Sequence, residues 1–455
     1  MRQEDQLPIQ TLLPMQARPR RCALAALALF AACAGAGSVR AQPENGPEKG
    51  AEKPAESGAL ARLVGSAPFK AARQALADDH ERFVAEIITL TEIPAPPFKE
   101  EARARAFAAM LKASGLADVT MDSLGNVVAR RPGRDPSLPP LIVAAHLDTV
   151  FPEGTDVGVR REGTRLLAPG IGDDTRGLAQ LLALVRAMDR ARISTRRDLV
   201  FVGNVGEEGA GDLRGMRHLF ASHPAARNAA GFITIDGSGA ARITTTGVGS
   251  RRFRLTFAGP GGHSFEKFGI VNPVAALART VSGLYAVPVP AEPRTTFSAS
   301  IIGGGTSVNA IPAKAFVEID IRSAAPAEIA RIDRALHDIA QAAVDEENAA
   351  RSTAMGRITV SFETIGDRPA GTTLPSSALA RHAHDMAVLM GLQPAFIAQS
   401  TDANVPMSLG IPAIAIGTGG RGGGEHTLGE WIDVSKDEAV QGMAVVLGTI
   451  LASAD

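Results

Sequence analysis

Cysteine is almost missing from this chain. Its two copies, Cys22 and Cys33, both lie in one apolar run at 22–35. Arg18, Arg20 and Arg21 precede that run, and Val39-Arg40-Ala41 follows it as a small-x-small site. The layout is that of a cleaved signal peptide over residues 1–41, and the run is too short for a stable membrane span. Once the signal is removed no cysteine remains, which excludes disulfides and a thiol nucleophile. The same residues also admit lipid attachment at Cys33 or a twin-arginine route through Arg20-Arg21. Each reading predicts export, to the periplasm or the medium.

Aromatic residues are also scarce, with one Trp and one Tyr, so base-stacking platforms are disfavoured. A formal net charge of −1 leaves no basic field for nucleic acid or an anionic membrane. No internal repeat is evident. What is present, 45% hydrophobic and 21% charged residues, describes a globular protein. At 455 residues the chain is longer than one ordinary core, which predicts two domains.

Residues 42–60, rich in Pro, Glu, Gly and Ala, read as a disordered leader. Helical periodicity then runs from about 71 to 90 and stops at Pro94, Pro96 and Pro97. A second helix follows over 100–114. Apolar runs at 141–145, 199–205 and 231–235 read as buried strands, with helices between. From residue 247 the character changes to alternating strands and two long helices, an α+β unit over 247–366. It interrupts an α/β domain made of 61–246 and 367–455.

The three buried runs end in chemistry. His146 and Asp148 close the first, Glu207 and Glu208 the second, Asp236 the third. In a mostly parallel sheet, ligands and catalytic groups gather at strand C-termini. A spacing of two puts His146 and Asp148 on one face, as for a ligating imidazole with an orienting carboxylate. Asp173 or Asp174, between a glycine loop and a helix, suits a carboxylate bridging two dications, or a plain first-turn acid. Glu207 and Glu208 repel each other unless a cation or a shared proton intervenes. Splitting the pair yields one ligand and one general base. Asp236 before Gly237 is a ligand or a turn former, and His426 lies on no apolar face.

Seven motifs carry these residues in order: HLDTVF (146–151), GIGDD (170–174), GEEGAG (206–211), TIDG (234–237), GGHS (261–264), GGGTSVNAIP (303–312) and GGGEHT (422–427). Over residues 80–455 their order and spacing resemble the cocatalytic zinc exopeptidases. That family includes peptidase T, carboxypeptidase G, aminoacylase and succinyl-diaminopimelate desuccinylase. The resemblance implies a zinc-exopeptidase-like, mostly parallel sheet flanked by helices, with an inserted lid that also mediates dimerisation.

It further implies two Zn²⁺, with Co²⁺ or Mn²⁺ fitting the same donors. His146 and Asp236 would hold one ion, Glu208 and His426 the other, and Asp173 both. Asp173 is preferred to Asp174 because it lies four residues before Gly177, and a cis peptide after it is implied. Asp148 would orient His146, and Glu207 would be the general base. His263 would stabilise the oxyanion, often from a partner subunit, while Asn309 and Arg322 would bind the substrate's carbonyl or carboxylate.

The expected reaction is amide hydrolysis by a hydroxide held between the two metals. Its substrates would be short peptides, or else N-acyl amino acids as in aminoacylases. A non-catalytic scaffold is the remote alternative, because every ligand and the base are present.

Overall fold

The computed structural model describes residues 54–455. The expected signal peptide and the leader up to residue 53 lie outside the described residues. From Pro54 onward the leader expectation is corrected: Pro54–Gly65 is a helix. Leu60 is buried and Leu63 and Val64 pack beside it on the main core, so apolar burial overrides the polar composition there.

Four parallel strands form the centre of a nine-stranded sheet, in the order Leu199–Asn204, Leu141–His146, Gly231–Ile235 and Ala413–Ile416. The sheet is mixed. Val127–Arg131 and then Asp118–Met121 extend it antiparallel on one side, and Arg242–Gly247 runs antiparallel to Ala413–Ile416 on the other. All residues of the four central strands are buried. Their side chains alternate between two cores. Leu141, Val143 and Ala145 join the larger core, whereas Ile142 and Ala144 join a second core with Leu213, Met216 and Phe220. Coverage on both faces is why these strands read as continuous apolar runs.

The helix Arg176–Arg190 lies in the larger core with nearly its whole surface buried. The periodic stretch expected as one helix is two, Ala67–Asp78 and His80–Thr91, separated at Asp79. The Asp79 carboxylate instead accepts from Arg186 at 2.6 Å.

The inserted unit is a four-stranded antiparallel sheet in the order Thr295–Gly304, Lys314–Ser323, Gly249–Ala258 and Thr359–Arg368. Helices Pro273–Tyr285 and Pro326–Ala350 cover one face over a core that includes Leu255, Phe257, Val317 and Ile319. Strand alternation sends Arg252, Arg254, Glu318 and Asp320 to the opposite face, where Arg252 pairs with Asp320 and Arg254 with Glu318. No helix among the described residues is long and apolar enough to cross a membrane.

Candidate metal centre

Because three of the terminating strands are parallel neighbours, their C-terminal ends open on one edge of the sheet. His146 ends one, Glu207 and Glu208 follow the next, and Asp236 follows the third. Asp173 reaches the same place from the turn Ile171–Thr175, and the Asp173–Asp174 peptide is cis. His426 arrives from between the short paired strands Gly422–Gly423 and Trp431–Asp433.

Asp173 joins the two histidines. Its Oδ1 lies 2.8 Å from His146 Nε2 and its Oδ2 lies 3.0 Å from His426 Nε2. His426 Nε2 is also 2.9 Å from Glu208 Oε1. Donor atoms of His146, Asp173 and Asp236 fall within 4.8 Å of one another, as do those of His146, Glu207 and Glu208, and those of Asp173, Glu208 and His426. Asp174 faces elsewhere: it is fully buried, and its Oδ2 accepts the His146 main-chain N–H.

So many acids in one buried place disturb one another. Burial, then the nearby Asp173, push Glu208 up to about 8 and Asp236 up to about 7. Burial opposes ionisation of Asp173 too, yet hydrogen bonds to His146 and His426 hold it below the usual carboxylate range. The same contacts, to Asp173 and then Glu208, raise His426 to about 11. Carboxylates driven toward protonation beside two imidazoles form a donor set that divalent cations would relieve. Mixed nitrogen and oxygen donors in this number fit two such ions.

Asp148 is fully buried, and its two oxygens accept the main-chain N–H groups of Glu207 and Glu208, each at 2.9 Å. His146 Nδ1 is 3.0 Å from the Asp148 carbonyl and 3.7 Å from its carboxylate. The side chain therefore clasps the Glu207–Glu208 turn more closely than it holds His146. Glu207 is buried, and Arg368 Nη1 donates to its Oε1 at 3.2 Å. Burial raises Glu207, and Arg368 partly offsets that.

A cavity of about 370 Å³ opens beside these groups, and Arg252, Arg322 and Arg368 line it from the inserted unit. Arg322 is thus brought to the site. His263 and Asn309 are not: both are exposed outside that lining, His263 within a short pairing to Ala310 and Ile311. The sequence reading missed Arg368, Glu430 and Arg103. Arg103 is fully buried and donates to the carbonyl of Leu147, between His146 and Asp148, at 2.8 Å. None of the three stands in a motif, and only the spacing of four between His426 and Glu430 hinted at one.

Fold and site together define a metal-dependent hydrolase. The chain belongs to peptidase family M20/M25/M40, whose family model matches residues 142–452. It is 36% identical over 135 residues to an N-carbamoyl-L-amino-acid amidohydrolase of Paenarthrobacter aurescens, across 30% of this chain and 28% of that protein. The match therefore spans under a third of that relative's length. Among solved structures it is similar to aminopeptidase PepT of Bacillus cereus, with 19% identity, 82% of this chain and 99% of that chain covered, and a TM-score of 0.66. It is also similar to the YXEP protein of Bacillus subtilis, a dinuclear metal-binding peptidase, with 16% identity, 83% and 99% covered, and a TM-score of 0.61. At these identities the structural likeness is one of fold.

Proposed function

We propose that this chain is an exported two-metal exopeptidase that hydrolyses amide bonds of short peptides. The observation that carries the reading is the Asp173 carboxylate set between His146 and His426, with Glu207 alongside. His146 and Asp236 would hold one ion, Glu208 and His426 the other, and Asp173 both, with zinc matching the mixed donors. When bound, the ions supply positive charge that polarises the substrate carbonyl and makes water more acidic.

The protein's own groups do the rest. Glu207 takes a proton from the attacking water and returns it to the leaving amine. Asp148 fixes the main chain of that residue, and Arg368 holds its carboxylate and opposes the rise in pKa that burial causes. Arg322, in the lining of the cavity, offers a guanidinium to a substrate carboxylate. His263 and Asn309 would reach substrate only after the lid moved or from a second subunit. The lid's outer strand Thr295–Gly304, with Ile301 and Ile302 exposed, supports a homodimer through that edge.

The second reading is an amidohydrolase acting on N-acyl amino acids, favoured by the N-carbamoyl amidohydrolase relative. Purified protein loaded with Zn²⁺, Co²⁺ or Mn²⁺ should be assayed on di- and tripeptides beside N-acyl and N-carbamoyl amino acids. Peptide cleavage supports the first reading, and turnover of the acylated series alone replaces it with the second. No turnover with any metal would leave a binding scaffold. Export is tested by fractionating cells that express the full chain and sequencing the mature N-terminus.

A further inference from the structure

Glu430 lies four residues beyond His426 and is 1% exposed. Among the described residues no lysine or arginine pairs with it. Its carboxylate instead accepts three main-chain N–H groups of the loop that presents Asp173. Oε2 takes Gly170 at 2.8 Å, and Oε1 takes Gly172 at 2.7 Å and Asp173 at 3.0 Å. The loop is shaped to that carboxylate. A Cβ at Gly172 would lie 3.2 Å from Glu430 Oε1 and 3.0 Å from Ile432 Cγ2, so any larger residue there would make those side chains give way.

The same residue anchors the segment that carries His426. Its carbonyl accepts the Ala168 N–H at 3.1 Å, and Trp431 pairs with Leu167 immediately afterwards. His426 projects from the turn just before this anchor, half exposed and at φ 64°. The carboxylate thus ties the main chain of the Asp173 loop to the limb that returns from His426. Between them, the Asp173 and His426 side chains approach to 3.0 Å.

We propose that Glu430 is a positioning residue for the metal centre, coupling the Asp173 loop to the His426 turn. The proposal rests on the two-metal reading given above. A carboxylate suits the task because it offers lone pairs to three donors at once, whereas an amide presents an N–H₂ group to some of them. Groups that orient ligands without touching the metal typically change metal affinity or activity by about 10–100-fold when replaced.

The test is calorimetric titration of Zn²⁺ into metal-free wild-type chain and Glu430→Gln, with Co²⁺ absorption spectra of both. The wild type should take two equivalents. Glu430→Gln should bind at least one equivalent about 10–100-fold more weakly, with an altered Co²⁺ spectrum and an unchanged far-ultraviolet circular dichroism spectrum. Gly172→Ala, whose methyl would press on Glu430, is the milder second variant and should shift affinity the same way. Two wild-type affinities and an unchanged Co²⁺ spectrum in both variants would overturn the proposal and leave the two-metal reading intact. A wild-type chain that binds no metal would overturn both.

Discussion

Arg368 Nη1 lies 3.2 Å from Glu207 Oε1, and the same guanidinium donates to the Glu207 main-chain carbonyl, with both residues buried. Charge and main chain of one acid are thus held by one base that enters from the last strand of the inserted unit. On the mechanism proposed above, this pair determines whether the proton acceptor is ionised and where it points.

Glu207→Gln removes the acceptor while keeping shape. General-base catalysis contributes about 10²–10⁴-fold, so kcat should fall by that much. Metal content by elemental analysis should stay at the wild-type value. Wild-type turnover in this variant would remove Glu207 from the mechanism.

Arg368→Met tests the pairing through pH. Burial raises the Glu207 pKa and Arg368 opposes that rise, so losing Arg368 should push it further up. The base works only when ionised, so the acid limb of the kcat/KM profile should move to higher pH. An acid limb that stays in place, or moves down, would show that Arg368 does not tune this acid.

Stability of the metal-free protein should fall as pH rises from about 5 to 8. Glu208 and Asp236 have native pKa values near 8 and 7, above their ordinary ones, so the folded state keeps protons that the unfolded state releases. Their contribution is complete below the ordinary carboxylate range and is lost as pH climbs through the native values. His426, raised to about 11, acts in the same direction above its ordinary value. Added Zn²⁺ should reverse the trend, because metal binds the deprotonated donors and stabilises only the folded state. Thermal unfolding at several pH values, with and without metal, measures both slopes.

Away from the site, Arg186 joins Asp79 at 2.6 Å and Glu86 at 2.9 Å, with all three side chains buried. Removing Arg186 leaves Glu86 only the half-exposed Arg82 and Asp79 only the half-exposed Arg190, so the loss should approach from below the about 3–5 kcal/mol of a fully unpaired buried charge. Arg186→Met should shift the denaturant midpoint accordingly, with kcat and KM unchanged at a temperature where the variant is folded. A change under about 1 kcal/mol would show that the cluster relaxes or hydrates instead.

Much of this was legible from residue order. A strand covered on both faces must be apolar throughout, so 141–145, 199–205 and 231–235 announced themselves, and the acids after them stood out by contrast. The strand Arg242–Gly247 escaped notice because its Thr-rich run lacks the continuous apolar character of the central strands. The break at Asp79 was hidden as well. Asp79 there pairs with Arg186, which is distant in sequence.

The sequence alone determined which donors this protein brings to its sheet edge and in what chain order they arrive, because strand ends and side-chain alternation are local properties. The tertiary structure decided where the loop side chains point. Asp173 rather than Asp174 meets the two histidines, Asp148 clasps the Glu207–Glu208 turn, and Arg322 but neither His263 nor Asn309 reaches the cavity. Those outcomes rest on contacts such as Glu430 to Gly172 and Arg368 to Glu207, made between segments far apart in the chain. A loop has no repeating pattern to set its direction, so only the packed partner can do so.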